Sequence, residues 1–150
     1  MRVHLITIAV KAEHDLVLVR QRARQLAGRL GLDETRQTRL ATAVSEISRN
    51  AFQYAGEGKV EMLVDRGPAR LLVRVVDHGP GIRDLDAVFS GSYRSETGLG
   101  LGLAGARRLV DHFEIESRPG QGTSVELGFD LRRDVVDDRE LLSHVDSLGQ

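Results

Sequence analysis

The sequence predicts an α+β fold, a two-layer α/β sandwich in which helices cover one face of a mixed β-sheet. Three observations support this prediction. Short runs rich in β-branched residues have the composition and spacing of strands. Longer stretches carry apolar residues at the three- and four-residue spacing of amphipathic helices. These segments follow one another in the order β-α-α-β-β-loop-α-β-β, which is typical of helices packed on one sheet.

The first part of the chain is predicted to form one strand and two helices. Residues 3–10 are β-branched and alternate weakly, which indicates a strand. Residues 13–30 have a helical apolar period that stops at Gly31. Asp33 is a suitable N-cap for a second helix, and the apolar period continues to Ala55 before glycines interrupt it.

The remaining elements are four strands, one helix and a long loop. Residues 83–97 show no sustained period and end in polar residues, so we expect a mobile loop there. A helical apolar period then predicts a third helix over residues 99–113. The strands, which are bounded by turn residues, are expected over residues 59–65, 71–76, 113–117 and 123–129.

A single domain is expected over residues 1–131, followed by a charged tail over residues 132–150. A chain of 150 residues is long enough to bury one substantial core. The tail is dense in charge but also contains spaced apolar residues. It is therefore either a frayed terminus or a short amphipathic helix.

The composition excludes several classes of function. The net charge is −1, which gives no reason to expect nucleic acid or an anionic membrane as a partner. The chain has no cysteine, so disulfides, thiolate metal sites and thiol catalysis are excluded. No apolar run is long enough to span a bilayer, and the N-terminus lacks a signal-peptide pattern. We therefore expect a cytoplasmic protein.

One candidate binding motif lies at the end of an apolar strand, where the chain reads Asp-His-Gly-Pro-Gly from Asp77. A partly buried carboxylate at that point needs a hydrogen-bond donor, and the exocyclic amine of adenine is a suitable one. Gly79 and Gly81 would leave room for a planar ring against the backbone. The plainer interpretation is a type II turn that closes the strand.

A second motif is the run Gly-Leu-Gly-Leu-Gly that begins at Gly98 and leads into the third predicted helix. Backbone N–H groups at a helix N-terminus can approach phosphates, and the helix dipole favours anions there. The run is neither a dinucleotide-binding fingerprint nor a Walker A loop, because the strand, acidic residue and Gly-Lys-Ser/Thr of those motifs are not in place. The plainer interpretation is a flexible hinge, although three glycines weaken a helix.

A third motif is the pair Glu46 and Asn50, which lie one helical turn apart on one face of the second predicted helix. Asn50 offers a neutral oxygen ligand for Mg²⁺, an ion that keeps most of its coordination for phosphates and water. The plainer interpretation is a solvated glutamate and an asparagine near a helix end. Together the three motifs predict an ATP site.

In this order along the chain, the three motifs resemble the GHKL superfamily, which includes gyrase-type topoisomerases, ninety-kilodalton heat-shock chaperones, MutL and histidine kinases. The resemblance implies the Bergerat ATP-binding fold. The stretch from Ser45 to Gly58 also has the pattern Glu–x–x–Arg–Asn–x–x–x–Tyr–Ala–Gly–x–Gly. This pattern is similar to that of the anti-sigma-factor serine kinases, and in particular to the switch kinases of bacterial stress signalling.

The resemblance implies a role for each matching residue. Glu46 matches the general base on the substrate hydroxyl, and Asn50 matches the Mg²⁺ ligand of the ATP site. Asp77 matches the aspartate that reads adenine, and Arg49 is a candidate for reaching phosphate. The other implied nucleotide-binding residues are Gly79 and Gly81 around the base, Gly98, Gly100 and Gly102 on the phosphate side, and Thr123, which supports the aspartate through water.

The resemblance also implies a protein partner. Kinases of this branch phosphorylate an antagonist protein of the STAS fold, and they alternate between it and a second partner, such as a phosphatase or a sigma factor. Two alternatives remain open. The chain could be the catalytic domain of a histidine kinase, with His14-Asp15 as a superficial phosphoacceptor motif. It could also be a non-catalytic ATP-binding module that sequesters a partner.

Overall fold

The computed structural model describes residues 2–82 and 99–135 together with the single positions 143, 145, 146 and 148. The element order predicted from the sequence is confirmed, and the loop predicted over residues 83–97 lies outside the described residues. The described elements are β1 (Arg2–Val10), α1 (Glu13–Arg29), α2 (Glu34–Ala55), β2 (Gly58–Arg66), β3 (Ala69–Asp77), α3 (Leu99–Leu109), β4 (His112–Ser117), β5 (Thr123–Asp130) and a 3₁₀ turn at Arg133–Val135.

The sheet has the strand order β1-β2-β3-β5-β4, and each neighbouring pair is antiparallel. The α+β sandwich is therefore confirmed, but the prediction of a mixed sheet is wrong for the described strands. The connection through α3 does return the chain parallel to β3. However, β5 lies between β3 and β4, so the two parallel strands never pair. The hairpin of α1 and α2 likewise brings β2 back antiparallel to β1.

The hydrophobic core lies between the helices and one face of the sheet. Burying a valine or leucine side chain contributes about 1.5–3 kcal/mol, so the packing of the two layers dominates the stability of the fold. From α3, Leu103 and Ala106 join this core. Each of the other main elements supplies side chains with no exposed surface, among them Val19, Leu26, Leu40, Val44, Val60, Met62, Val64, Leu71, Val73 and Leu127.

Helix boundaries follow local capping and pairing. The Asp33 side chain accepts a hydrogen bond from the Arg36 N–H (2.9 Å), which confirms it as the N-cap of α2. Gly56 ends α2 in the left-handed conformation, with φ of 81°. The third helix is shorter than the predicted 99–113. The N–H of Asp111 bonds to the Gly128 carbonyl (3.1 Å), so the chain has already joined the sheet where the apolar period still continues.

The opposite face of the sheet is polar and charged. Both oxygens of Glu126 accept hydrogen bonds from Arg2 (2.8 and 2.9 Å), and one also accepts from Arg74 (2.9 Å). The Arg2 Nε lies 3.1 Å from Asp65 Oδ1. This cluster, the Glu126 network, therefore connects four of the five strands.

Beyond β5 the structure describes only short stretches. The Leu131 N–H bonds to the Ala69 carbonyl (2.8 Å), positions 143, 145 and 146 are helical, and Leu148 is partly buried against the core. The division of the chain at residue 131 stays a prediction. Within the described parts, no helix is both long and apolar enough to cross a membrane.

Candidate functional site

Asp77 lies at the last position of β3, with its carboxylate half-buried above the following turn. Its Oδ1 accepts a hydrogen bond from the Gly79 N–H (2.9 Å). Burial raises the pKa of Asp77, although hydrogen bonds from the backbone of Gly79 and Thr123 act in the opposite direction. The pKa shift means that the ionised carboxylate lacks part of the solvation it would have in water. A donor from a ligand would supply it.

The glycines of this turn allow close packing within the protein. A Cβ on Gly79 would lie 2.7 Å from the Cβ of Ala55, at the end of α2. Gly81 has φ of 74°, and a Cβ there would overlap the carbonyl oxygen of Arg118 in the β4–β5 turn. The Gly120 N–H bonds to the Pro80 carbonyl (2.7 Å) and fixes the two turns together. Both glycines therefore have a structural reason, and their contact with a planar ring stays a prediction.

Glu46 and Asn50 share one face of α2, close to the start of α3. A Cβ on Gly102 would lie 3.2 Å from Glu46 Oε2 and 3.9 Å from Asn50 Oδ1. The Glu46 side chain is 37% exposed, and its Oε1 lies 3.5 Å from the Arg49 Nη1. This pair is long and solvent-exposed, so it fixes neither side chain firmly.

The amide of Asn50 is the clearest sign of a binding site. Its Oδ1 and Nδ2 are both buried, and neither has a hydrogen-bond partner among the described residues. A buried polar group without a partner costs about 1–3 kcal/mol, so such groups in native proteins call for an explanation such as a bound ion or ligand. No described group of three or more histidine, aspartate or glutamate side chains could hold a metal. A metal ion at Asn50 would therefore need most of its ligands from elsewhere.

The structure gathers the predicted residues into two clusters joined by α2. The first contains Asp77 and Thr123, which are paired across β3 and β5. The second contains Glu46, Asn50 and Gly102. Asn50 lies five residues before Ala55, the residue packed on Gly79, which is about 7.5 Å along the helix. Gly100 lies in the first turn of α3, and Gly98 lies outside the described residues.

Ser117 is a residue of the site that the sequence analysis missed. Its Oγ accepts a hydrogen bond from the Ile82 N–H (2.7 Å) and lies 2.8 Å from the Oγ1 of Thr123. The same oxygen is 3.1 Å from the Gly122 carbonyl. A signal was present in the sequence, because Ser117 and Thr123 are hydroxyl residues on either side of a Pro-Gly turn.

His14, the candidate phosphoacceptor, is not near these clusters in the sequence of elements. It is the second residue of α1, and its side chain is 85% exposed and 3.5 Å from Asp15. Its position within the ATP-site layer gives no support to a phosphoacceptor role on a separate helix.

Comparisons with known proteins agree with this geometry. The family described as histidine kinase-, DNA gyrase B- and HSP90-like ATPases matches residues 35–133, and the chain belongs to this family of ATPases. It is 39% identical to the serine/threonine-protein kinase RsbT of Bacillus subtilis over 121 residues, which cover 79% of this chain and 91% of that protein. The resemblance predicted from the motifs, including the likeness to the kinase branch, is thereby confirmed.

More distant similarities point to the same fold. An anti-sigma F factor of Caldanaerobacter subterraneus subsp. tengcongensis is 30% identical over 94 residues, which cover 59% of this chain and 66% of that protein. A chain in the crystal structure of the SiaB–SiaC complex from Pseudomonas aeruginosa superposes with a TM-score of 0.53. That match covers 83% of this chain and 89% of the other at 11% identity, so it supports the fold alone.

Proposed function

We propose that this protein is an ATP-dependent serine/threonine protein kinase that regulates by switching partners, with a STAS-type antagonist protein as its substrate. The observation that carries the proposal is the buried, unpartnered amide of Asn50, one helical turn from Glu46 and beside the first turn of α3. Likeness along most of the chain to a protein named as a serine/threonine kinase supports the reaction type.

At the base end of the site, Asp77 accepts a hydrogen bond from the exocyclic amine of adenine. Its carboxylate is half-buried with a raised pKa, so a ligand donor there stabilises the ionised form. Thr123 is its cross-strand neighbour and assists through a water molecule. Gly79 and Gly81 shape the turn on which the base rests.

At the phosphate end, Asn50 supplies one neutral oxygen to Mg²⁺, and its buried Oδ1 without a partner fits that role. Bound Mg²⁺ would neutralise charge on the β- and γ-phosphates. The free N–H groups at the start of α3, in the segment that contains Gly98, Gly100 and Gly102, bind the phosphate oxygens.

Glu46 acts as the general base. Its exposed carboxylate can be reached by a serine or threonine hydroxyl of another protein. It accepts the hydroxyl proton while the hydroxyl oxygen bonds to the γ-phosphorus and the bond from that phosphorus to the bridging oxygen breaks, which releases ADP. Because phosphoryl transfer depends mainly on positioning and charge neutralisation, few further side chains are needed.

The partners follow from the relatives. Likeness to a protein named anti-sigma F factor supports a partner protein that is bound and released, and a phosphatase or sigma factor is the alternate partner of the switch. Neither nucleic acid nor a membrane is required by this mechanism, which agrees with the near-zero net charge of −1.

The decisive experiment is phosphotransfer from γ-labelled Mg-ATP to a purified STAS protein encoded by a neighbouring gene. Asn50→Ala serves as the control, and we expect acid-stable label on the partner with the original chain and none with the variant. Acid-labile label on the chain itself would replace the proposal with a histidine kinase. ATP binding without any transfer would replace it with a partner-sequestering module, and normal transfer by Asn50→Ala would refute the metal assignment.

A further inference from the structure

Three polar side chains form a row across the end of the sheet. Asp77 of β3 pairs with Thr123 of β5, and Thr123 pairs with Ser117 of β4. Directly paired residues lie on the same face of a sheet, with Cβ atoms roughly 5 Å apart. The row therefore runs from the base end of the candidate site to the edge strand. Its first contact between side chains is the 2.8 Å bond between the hydroxyls of Ser117 and Thr123.

The hydrogen bonds of Ser117 limit the direction of this bond. Its Oγ already accepts from the Ile82 N–H, so its single proton is left for the Thr123 hydroxyl or the Gly122 carbonyl. The contact with Thr123 is the shorter, at 2.8 Å against 3.1 Å. When Ser117 donates to Thr123, the proton of Thr123 is free to turn toward Asp77 and the ligand. A carboxylate at the end of the row favours that direction.

We propose that Ser117 is a positioning residue that fixes the Thr123 hydroxyl as a donor toward the base and so contributes to the preference for adenine over guanine. The inference rests on the proposed ATP binding. In this arrangement Asp77 presents an acceptor and Thr123 a donor. Adenine carries an amine beside a ring-nitrogen acceptor, which is the complementary pattern. Guanine carries a carbonyl beside a ring N–H, which opposes both groups.

Removing the Ser117 hydroxyl changes what Thr123 can do. In Ser117→Ala the Thr123 hydroxyl loses its donor and can rotate, so it no longer presents a fixed proton to the base. Ser117→Thr keeps a hydroxyl at the same position. Ser124→Ala is a matched control, because Ser124 is the next residue along β5 and therefore points to the opposite face of the sheet.

The test measures ATP and GTP affinity by calorimetry or nucleotide competition, with thermal unfolding as a folding check. We expect Ser117→Ala to weaken ATP binding about five- to tenfold and to lower the ratio of ATP to GTP affinity by a similar factor, in line with the loss of one oriented hydrogen bond. Ser117→Thr and Ser124→Ala should each stay within about twofold of the original chain.

A second background separates orientation from simple support of the turn. If Ser117 acts through Thr123, then Ser117→Ala should have little further effect on ATP binding in a Thr123→Val chain. An equal loss in both backgrounds, or an unchanged ratio of ATP to GTP affinity, would overturn the inference while leaving ATP binding intact. A chain that is folded and binds no ATP at all would overturn the proposed function and this inference with it.

Discussion

At the scale of single residues, Asp77 combines a cost in folding with a use in binding. A carboxyl group whose pKa is raised in the folded state is harder to ionise there than in the unfolded chain, so its ionisation lowers stability above that pKa. Asp77→Asn removes this cost and keeps an oxygen for the Gly79 N–H. It also places an amide donor where the adenine amine needs an acceptor.

We therefore expect Asp77→Asn to lose ATP affinity by roughly a hundredfold or more, while its melting temperature at neutral pH is unchanged or higher. In the original chain, ATP affinity should fall as the pH is lowered toward the raised pKa of Asp77, at higher pH than for an ordinary aspartate. Calorimetric titrations at several pH values test both statements. Undiminished affinity in Asp77→Asn would refute the adenine assignment.

Glu46 should separate binding from transfer. Its carboxylate is exposed and makes only a long contact with Arg49, so removing it leaves the nucleotide-binding groups in place. We expect Glu46→Ala to bind ATP within a few-fold of the original chain and to transfer phosphate about 10²- to 10⁴-fold more slowly. Single-turnover transfer to the partner measures the rate. A rate within a few-fold of the original would show that Glu46 is not the base.

At the scale of elements, the contact between α2 and α3 depends on a missing side chain. Gly102→Ala would place a Cβ 3.2 Å from Glu46 Oε2, so the flexible carboxylate must move. We expect about tenfold slower transfer, with stability unchanged or raised by up to about 1 kcal/mol because alanine favours the helix. Gly105→Ala is the matched control, since a Cβ there meets nothing within 4 Å. Equal transfer by both variants would contradict this packing role.

Elements could be predicted where their signal is local. The apolar periods and the Asp33 cap gave the order and starts of the helices, because each depends on residues a few positions apart. The position of β5 between β3 and β4 depends on pairing across the whole sheet, so the antiparallel arrangement could not be predicted. Ser117 was missed for the same reason, because its contact with Ile82 joins residues 35 positions apart.

At the scale of the whole molecule, the Glu126 network connects the two ends of the described fold. Arg2 and Glu126 are 124 positions apart, a contact that no local pattern indicates. Leu63 and Leu72 pair on the charged face of the sheet, in the register row between Asp65 and Glu126, and are only 6% and 3% exposed. The side chain of Arg2 must pass over this row to reach from Asp65 to Glu126, so it shields both leucines.

The pH dependence of stability should report this network. Burial alone would raise the pKa of Glu126, but hydrogen bonds from Arg2 and Arg74 outweigh it and lower the pKa. A carboxyl group with a lowered folded pKa contributes stability above its unfolded pKa and loses it as the pH falls through the folded pKa.

We expect Glu126→Gln to destabilise the fold by about 1 kcal/mol at neutral pH, and a 150-residue chain should then melt a few degrees lower. The difference should shrink below about pH 4, as Glu126 of the original chain becomes protonated. Thermal unfolding between pH 3 and pH 7 measures it, with Glu114→Gln, an exposed glutamate of the edge strand, as the control. A difference that is constant with pH, or equally large in the control, would show that the Glu126 network does not hold the strands together through charge.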